Sequence, residues 1–299
     1  MRTHGLTVSS VTANSPLPIH HRQTGDFARL VEIERADPMT DRILLHFLGI
    51  ERPARFASTL GTLRCGLAWS VFPQFLDTEG WSVEGSFGVK PFGGEVGLPS
   101  FRRVDLRSHE HLDSPSNLYV FLSKGSERVA IQFDEEKTGD RVWIVVRVSS
   151  NNAESMLLER WFASVRRRNT LRGRSLFPNG KVLDRRGLRE GERLFVSSVT
   201  RRRLDSVRDR FSGDASEHLI RLGVRQRAGL ILSGLPGTGK TSICRELSGM
   251  MDCTFLWVTP GDFEGLADVG ETYELARWLA PTTVVLEDLD MIAESRERG

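Results

Sequence analysis

Apolar and polar positions change their period several times along the chain, and each change predicts an element. Met1 to Thr24 is polar with prolines and no apolar period, which predicts a mobile arm (1–24). From Gly25 to Leu48 the residues Phe27, Leu30, Val31, Ile33, Ile43, Leu44, Phe47 and Leu48 come at helical spacings broken by Pro38, so two short helices are expected. Gly80 to Pro99 carries Gly85, Gly88, Gly93, Gly94 and Gly97 and predicts loops rather than a packed element. Asn117 to Val148 then reads as three strands, LYVFLS, RVAIQF and VWIVVRV, joined by turns at Lys124-Gly125 and through Thr138-Gly139-Asp140: a β-meander. After Asn152 the period becomes helical, with Met156, Leu157, Trp161, Phe162 and Val165 on one face. Arg166, Arg167 and Arg168 suit that helix's C-terminal end, where cations meet the partial negative charge of the carbonyls. A turn at Pro178-Asn179-Gly180 and a short strand near Leu194 to Val199 complete a leading α+β domain over 25–200. Trp69, Trp81, Trp143, Trp161 and Phe133 are expected in its core.

Beyond Ala215 strands and helices alternate. A helix is expected around Glu217 to Leu222, a strand over Leu230 to Ser233, a Gly-rich loop and a helix from near Lys240. A strand over Thr254 to Val258, a helix from about Gly270 to Leu279 and a strand over Thr283 to Glu287 follow. This order predicts an α/β domain over 214–299 with a parallel, doubly wound sheet.

Composition changes the picture in one place only. The chain is 39% apolar and 27% charged with a net charge of +2, ordinary for a globular protein of about two domains. Charge is uneven: fifteen basic against five acidic residues between Arg166 and Arg210 give a basic neck of +10 and leave −8 elsewhere. No apolar run suits a signal peptide or the roughly 20 residues that span a bilayer, so no membrane partner is expected. Cys65, Cys244 and Cys253 form no CxxC pair, which argues against a disulfide framework and for a reducing cytoplasm.

The candidate chemistry lies in the last third. Gly234-Leu235-Pro236-Gly237-Thr238-Gly239-Lys240-Thr241, followed by Ser242, satisfies GxxxxGK[ST] between an expected strand and an expected helix. Glycines let such a loop wrap an anion with its backbone N–H groups, aided by the positive end of the helix. Lys240 is expected on the β- and γ-phosphates of ATP and the Thr241 hydroxyl on Mg²⁺. Val284-Val285-Leu286-Glu287-Asp288-Leu289-Asp290 is an apolar strand ending in acids. At the carboxyl edge of a parallel sheet one acid can hold the metal shell and another can orient the attacking water.

Arg227-Ala228-Gly229-Leu230-Ile231-Leu232-Ser233 running into GLPGTGKT, with Ala280-Pro281 before the acidic strand, resembles the nucleotide-binding core of AAA+ ATPases. The likeness covers about Asp214 to Gly299 and is nearest the branch whose second motif reads EDxD. It implies a P-loop NTPase sheet, ATP and Mg²⁺ as ligands, and Thr241 and Glu287 as metal-side residues. Carried over one by one, Asp288 takes the water-polarising role where most members have the longer Glu. Phe263-Glu264-Gly265 matches the family's pore loop, against the plainer reading that Phe263 anchors its loop to the core.

A family module of this kind continues with a fourth central strand, arginine fingers and a helical lid. The sequence through Gly299 is therefore expected to be a fragment with an incomplete AAA+ core. The resemblance implies a hexameric homo-oligomer for the full-length parent and ATP-driven remodelling of a protein client. A nucleotide-gated binding module without effective hydrolysis is the alternative. Nucleic-acid binding through the basic neck is a third reading, testable by its salt dependence.

Overall fold

The computed structural model describes residues 40–50, 53–89, 96–107, 109–136, 141–149, 155–168, 170–183, 187–188, 192–211, 221–223, 228–262 and 266–288. The chain divides into two compact units, Met1–Thr170 and Leu171–Gly299, so the boundary falls at the start of the basic neck rather than near residue 200. The expected arm, the helix before Pro38, most of the helix at Glu217 to Leu222, Phe263-Glu264-Gly265 and Asp290 lie outside the described residues.

In the first unit α1 (Thr40–Leu48) is followed by β1 (Ala54–Gly61) and α2 (Thr62–Glu79). Then come β2 (Ser82–Val89), β3 (Val96–Gly97), β4 (Ser100–Arg107), β5 (Glu110–Lys124), β6 (Glu127–Glu135), β7 (Arg141–Val148) and α3 (Ser155–Arg168). The meander forms as expected: β5 pairs β6 and β6 pairs β7, both antiparallel, with Gly125 at φ 59° in the first turn. Strand order in the sheet is β1-β7-β6-β5-β2-β3, and β4 pairs β5 as well.

Helix α1 lays Ile43, Leu44, Phe47 and Leu48 against Phe87, Tyr119, Phe121 and Ala130. α2 packs over β5 and against α3, where Trp161 is fully buried, lies tilted against Phe72 with ring centroids 4.6 Å apart and donates its indole N–H to the Ala68 carbonyl at 3.0 Å. Trp81 and Phe133 are buried as expected, whereas Trp143 is 44% exposed, because it lies opposite the inward residues Val142 and Ile144 on β7.

The expectation of loops over Gly80 to Pro99 is corrected by β2, which pairs β5 and buries Gly85, Ser86, Phe87 and Gly88. Its glycines serve a strand. The pairing of β2 shifts register between Val83 and Gly85, and a Cβ on Gly88 would collide with the Leu98 backbone, so only glycine allows that approach. Gly80 instead ends α2: at φ 73° it donates to the Asp77 carbonyl while the Trp81 N–H reaches the Leu76 carbonyl, a Schellman cap.

The second unit holds β8 (Ser175–Leu176), α4 (Ser198–Arg210), α5 (Lys240–Met250), β9 (Thr254–Val258), a 3₁₀ turn (Pro260–Asp262), α6 (Leu266–Trp278) and β10 (Thr282–Leu286). Its sheet runs β10-β9-β8 and both pairings are parallel, as the alternating pattern predicts. Every residue of β9 is buried, the mark of a strand covered on both faces. Phe255 and Trp257 of β9 and Val285 of β10 meet Ile243 and Leu247 of α5 and Leu204 of α4 in one apolar cluster.

Two expected strands do not form. Leu230 to Ser233 lies outside any ladder, with Leu230 40% and Ile231 90% exposed, because no described strand lies beside it to share hydrogen bonds. Leu194 to Val199 gives way to α4, which starts because the Ser197 hydroxyl accepts from the Thr200 N–H and caps the helix. The Pro178-Asn179-Gly180 turn is present, closed by Phe177 N–H to the Lys181 carbonyl, with Gly180 at φ 92°. No described helix is long and apolar enough to cross a membrane.

Candidate phosphate-binding site

The loop Gly234 to Gly239 joins the segment Leu230 to Ser233 to α5 through backbone conformations that its glycines make accessible. Gly237 lies at φ 77° and Gly239 at φ 87°, in the left-handed region that costs an L side chain about 1–2 kcal/mol. Thr238 closes the turn with its hydroxyl donating to the Leu235 carbonyl at 2.8 Å. Gly239 caps α5 and offers no side chain to its first turn, so the earliest intrahelical bond runs from the Ile243 N–H to the Gly239 carbonyl. The N–H groups of Lys240, Thr241 and Ser242 precede that bond and lie at the positive end of the helix dipole, an arrangement that favours an anion.

Lys240 folds its ammonium over the loop, donating to the carbonyls of Gly234 at 2.8 Å and Leu235 at 3.1 Å. Leu235, Pro236, Gly237, Thr238 and Thr241 are exposed, while Gly239, Lys240 and Ser242 are half-buried. The loop therefore presents its rim to solvent and roots its cationic residue at the helix.

The acidic pair follows the end of β10. The Glu287 N–H donates to the Val258 carbonyl at 2.9 Å, which carries the parallel ladder one residue past the strand and fixes Glu287 at its carboxyl edge. Asp288 is exposed and adopts φ 48°, a left-handed turn that aspartate tolerates better than most residues. Glu287 also lies within electrostatic reach of α5. The Cys244 thiol, one turn beyond Lys240, is pushed up to about 11 by burial and then by the charge of Glu287. Glu287 thus lies within electrostatic reach of the helix that the phosphate loop opens.

The sequence allows Arg201-Arg202-Arg203 to pair with acids of the ATPase core or of a neighbouring subunit, without saying which arginine meets which acid. Arg201 of α4 pairs with Glu246 of α5 at 2.8 Å, and the hydrogen bond it donates to that carboxylate raises the Arg201 guanidinium above its ordinary range. The signal available was only Arg201-Arg202-Arg203 itself, since the helix phase that sends Arg201 inward and leaves Arg202 and Arg203 exposed depends on where Ser197 starts the helix. Arg208 is engaged by Asp205 and Asp209 on its own helix. Cys65 and Cys244 are free thiols, and Cys253 Sγ lies 3.3 Å from the Thr283 hydroxyl.

Magnesium that accompanies a nucleotide is held by one or two protein oxygens plus phosphates and water. An exposed Thr241 hydroxyl in the first turn of α5 and the Glu287 carboxylate within electrostatic reach of the same helix fit that requirement.

Comparison with known proteins agrees with the geometry. Residues 230–299 match the ATPase family associated with various cellular activities (AAA). The chain is 25% identical over 236 residues to an ATP-dependent zinc metalloprotease FtsH of Marinobacter nauticus, covering 73% of this chain and 35% of the relative. That match is longer than residues 230–299 and so takes in part of what precedes them. The chain is also 36% identical over 84 residues to the 26S proteasome regulatory subunit 8 of Caenorhabditis elegans, covering 26% of this chain and 20% of that protein. The homologue of that subunit in Saccharomyces cerevisiae matches at 36% over 84 residues, 26% of this chain and 21% of the relative. The chain thus spans about a third or less of the length of these relatives. A glycine-built loop opening a helix beside a parallel sheet, an acid at the sheet's carboxyl edge and this match point the same way: residues 230–299 are similar to the AAA family of ATPases.

Proposed function

We propose that the chain binds ATP with Mg²⁺ at Gly234 to Ser242 and hydrolyses it, and that the whole protein couples this to remodelling a protein client within a homo-oligomeric, hexameric ring. The observation that carries the reading is the pair of left-handed glycines, Gly237 and Gly239, that opens α5 beside the strand bearing Glu287. A metalloprotease and a proteasome subunit among the relatives support a protein client.

Each residue has a distinct task. The N–H groups of the loop and of the first turn of α5 bind and orient the phosphates. Lys240 exchanges the Gly234 and Leu235 carbonyls for the β- and γ-phosphate oxygens, an exchange of acceptors that leaves its stem in place. Thr241 and Glu287 hold the metal side, and Mg²⁺ when bound supplies positive charge that offsets the charge on the phosphate oxygens. Asp288 orients the attacking water by accepting its proton at a carboxylate oxygen. Its side chain is one methylene shorter than glutamate, so its reach is reduced by about an ångström, a displacement that can cost about 10²-fold in rate.

A nucleotide-gated module without effective turnover is the second reading, and the short, exposed Asp288 favours it. Nucleic-acid binding through the basic stretch has less support, since Arg201 and Arg208 already pair with carboxylates. Calorimetric titration with Mg·ATP and steady-state phosphate release decide among these. Lys240→Ala is expected to lose binding, and Asp288→Asn to keep binding but lose turnover. Binding without turnover above background in the wild type would favour the gated module, turnover unchanged in Asp288→Asn would refute the role of Asp288, and binding unchanged in Lys240→Ala would refute the phosphate-site reading.

A further inference from the structure

Gly187 and Leu194, from the segment that leads into α4, lie against opposite ends of α5. Near the C-terminal end of α5 the Gly187 N–H donates to the Ser248 hydroxyl at 3.1 Å, and a Cβ on Gly249 would come within 3.0 Å of Gly187 Cα. At the opposite end a Cβ on Gly239 would lie 3.9 Å from Leu194 Cδ1. Between these contacts Arg201 donates through Nη1 to Glu246 Oε1 at 2.8 Å and through Nη2 to the Leu194 carbonyl at 3.4 Å. A single planar guanidinium therefore joins the middle of α5 to the residue that abuts its cap. Glu246 depends on this arrangement, because its Oε2 is buried and has no hydrogen-bond partner among the described residues. Leu194 is further held by packing on the cluster that contains Ile243 and Leu247.

We propose that Arg201 is a positioning residue for the phosphate loop: bridging Glu246 and the Leu194 carbonyl, it ties residues 192–197 to α5 and sets Leu194 against Gly239. The inference rests on the reading of that loop as the ATP site. Lysine cannot replace the fork, since a point ammonium does not present two parallel donors in a fixed plane. Leu194 is the element through which Arg201 acts, so removing either should disturb the same geometry and their effects should overlap.

The test measures Mg·ATP affinity by calorimetry on the full chain, together with thermal unfolding of the nucleotide-free protein. Variants are Arg201→Gln, Arg201→Lys, Leu194→Ala, Arg201→Gln with Leu194→Ala, and Arg208→Gln as a control on the same helix. Expected is an affinity about 3- to 30-fold weaker in Arg201→Gln, the range seen for residues that act on a site without touching its ligand. A smaller loss in Arg201→Lys, a double variant no weaker than the worse single one, and no change in Arg208→Gln complete the expectation. If Arg201→Gln does not fold, Arg201→Lys paired with Leu194→Ala provides the same cycle. Unchanged affinity in the folded Arg201 variants, or losses that add in full, would overturn the positioning role while leaving the ATP site intact. Failure of the folded wild type to bind Mg·ATP would remove the ATP-site reading and this inference with it.

Discussion

Replacing Gly239 by alanine tests whether the loop conformation is what makes the anion site. Gly239 sits at φ 87° and ψ 17° as the cap of α5, so a Cβ there meets backbone strain of about 1–2 kcal/mol. Steric overlap adds little: the nearest heavy atom to that Cβ is Leu194 Cδ1 at 3.9 Å, ordinary van der Waals contact. If the chain keeps its conformation, the strain appears as lost stability, roughly 3–12 °C in melting temperature for 1–2 kcal/mol in a unit of this size. If the loop relaxes, the N–H groups turn away from the phosphates and Mg·ATP affinity falls about 5- to 30-fold, the factor equivalent to one or two kcal/mol. Scanning fluorimetry without nucleotide and calorimetry with it separate the two. Gly229→Ala is the control, since its backbone is not left-handed and nothing lies within 4 Å of the added Cβ. A Gly239→Ala protein that melts and binds like wild type, or a Gly229→Ala protein that loses as much, would refute the account of the cap.

Three further predictions address the framework. Gly270→Ala, on the exposed side of α6 with no atom within 4 Å of its Cβ, is expected to stabilise by about 1 kcal/mol in urea unfolding; destabilisation would contradict a helix there. Thr254→Val removes the hydroxyl that donates to the Leu279 carbonyl at 2.9 Å and accepts from the Gly173 N–H at 2.9 Å. It should cost about 1–3 kcal/mol, with Thr254→Ser costing less, and an equal cost for both would assign the loss to packing instead. Burial pushes the Cys65 thiol from 9.0 up to about 12, so the folded state favours the protonated form. The stability this contributes is complete below pH 9 and lost as pH rises towards 12, and Cys65→Ala should flatten that alkaline decline in unfolding curves taken at pH 8, 10 and 11. An identical decline in both proteins would show that other groups cause it.

The parts of this protein legible in its sequence are those whose physics is local. Three alternating runs separated by turn residues specify β5, β6 and β7, because side-chain period and turn chemistry act over a few residues. The glycines and lysine of the phosphate loop likewise carry their geometry with them, since φ above zero is a property of single residues. Helix α2 was harder to see: Pro73 lies inside it, and Leu63, Leu67, Val71, Phe72, Phe75 and Leu76 are buried so widely that no polar stripe marks a period.

Strand β2 and the segment Leu230 to Ser233 show the opposite outcomes of one rule. The glycine-rich stretch became a strand because β5 offered a partner and close backbone approach, and the apolar run remained outside the ladders because no described strand lies beside it. The sequence by itself determined the meander, the parallel α/β order and the phosphate loop with its acidic strand. Tertiary structure alone decided that β8 joins β9, that Arg201 meets Glu246 behind the loop, and that Glu287 acts on Cys244. The physical reason is that pairing, burial and electrostatic reach depend on which distant residues are neighbours, and no short stretch of chain specifies its neighbours.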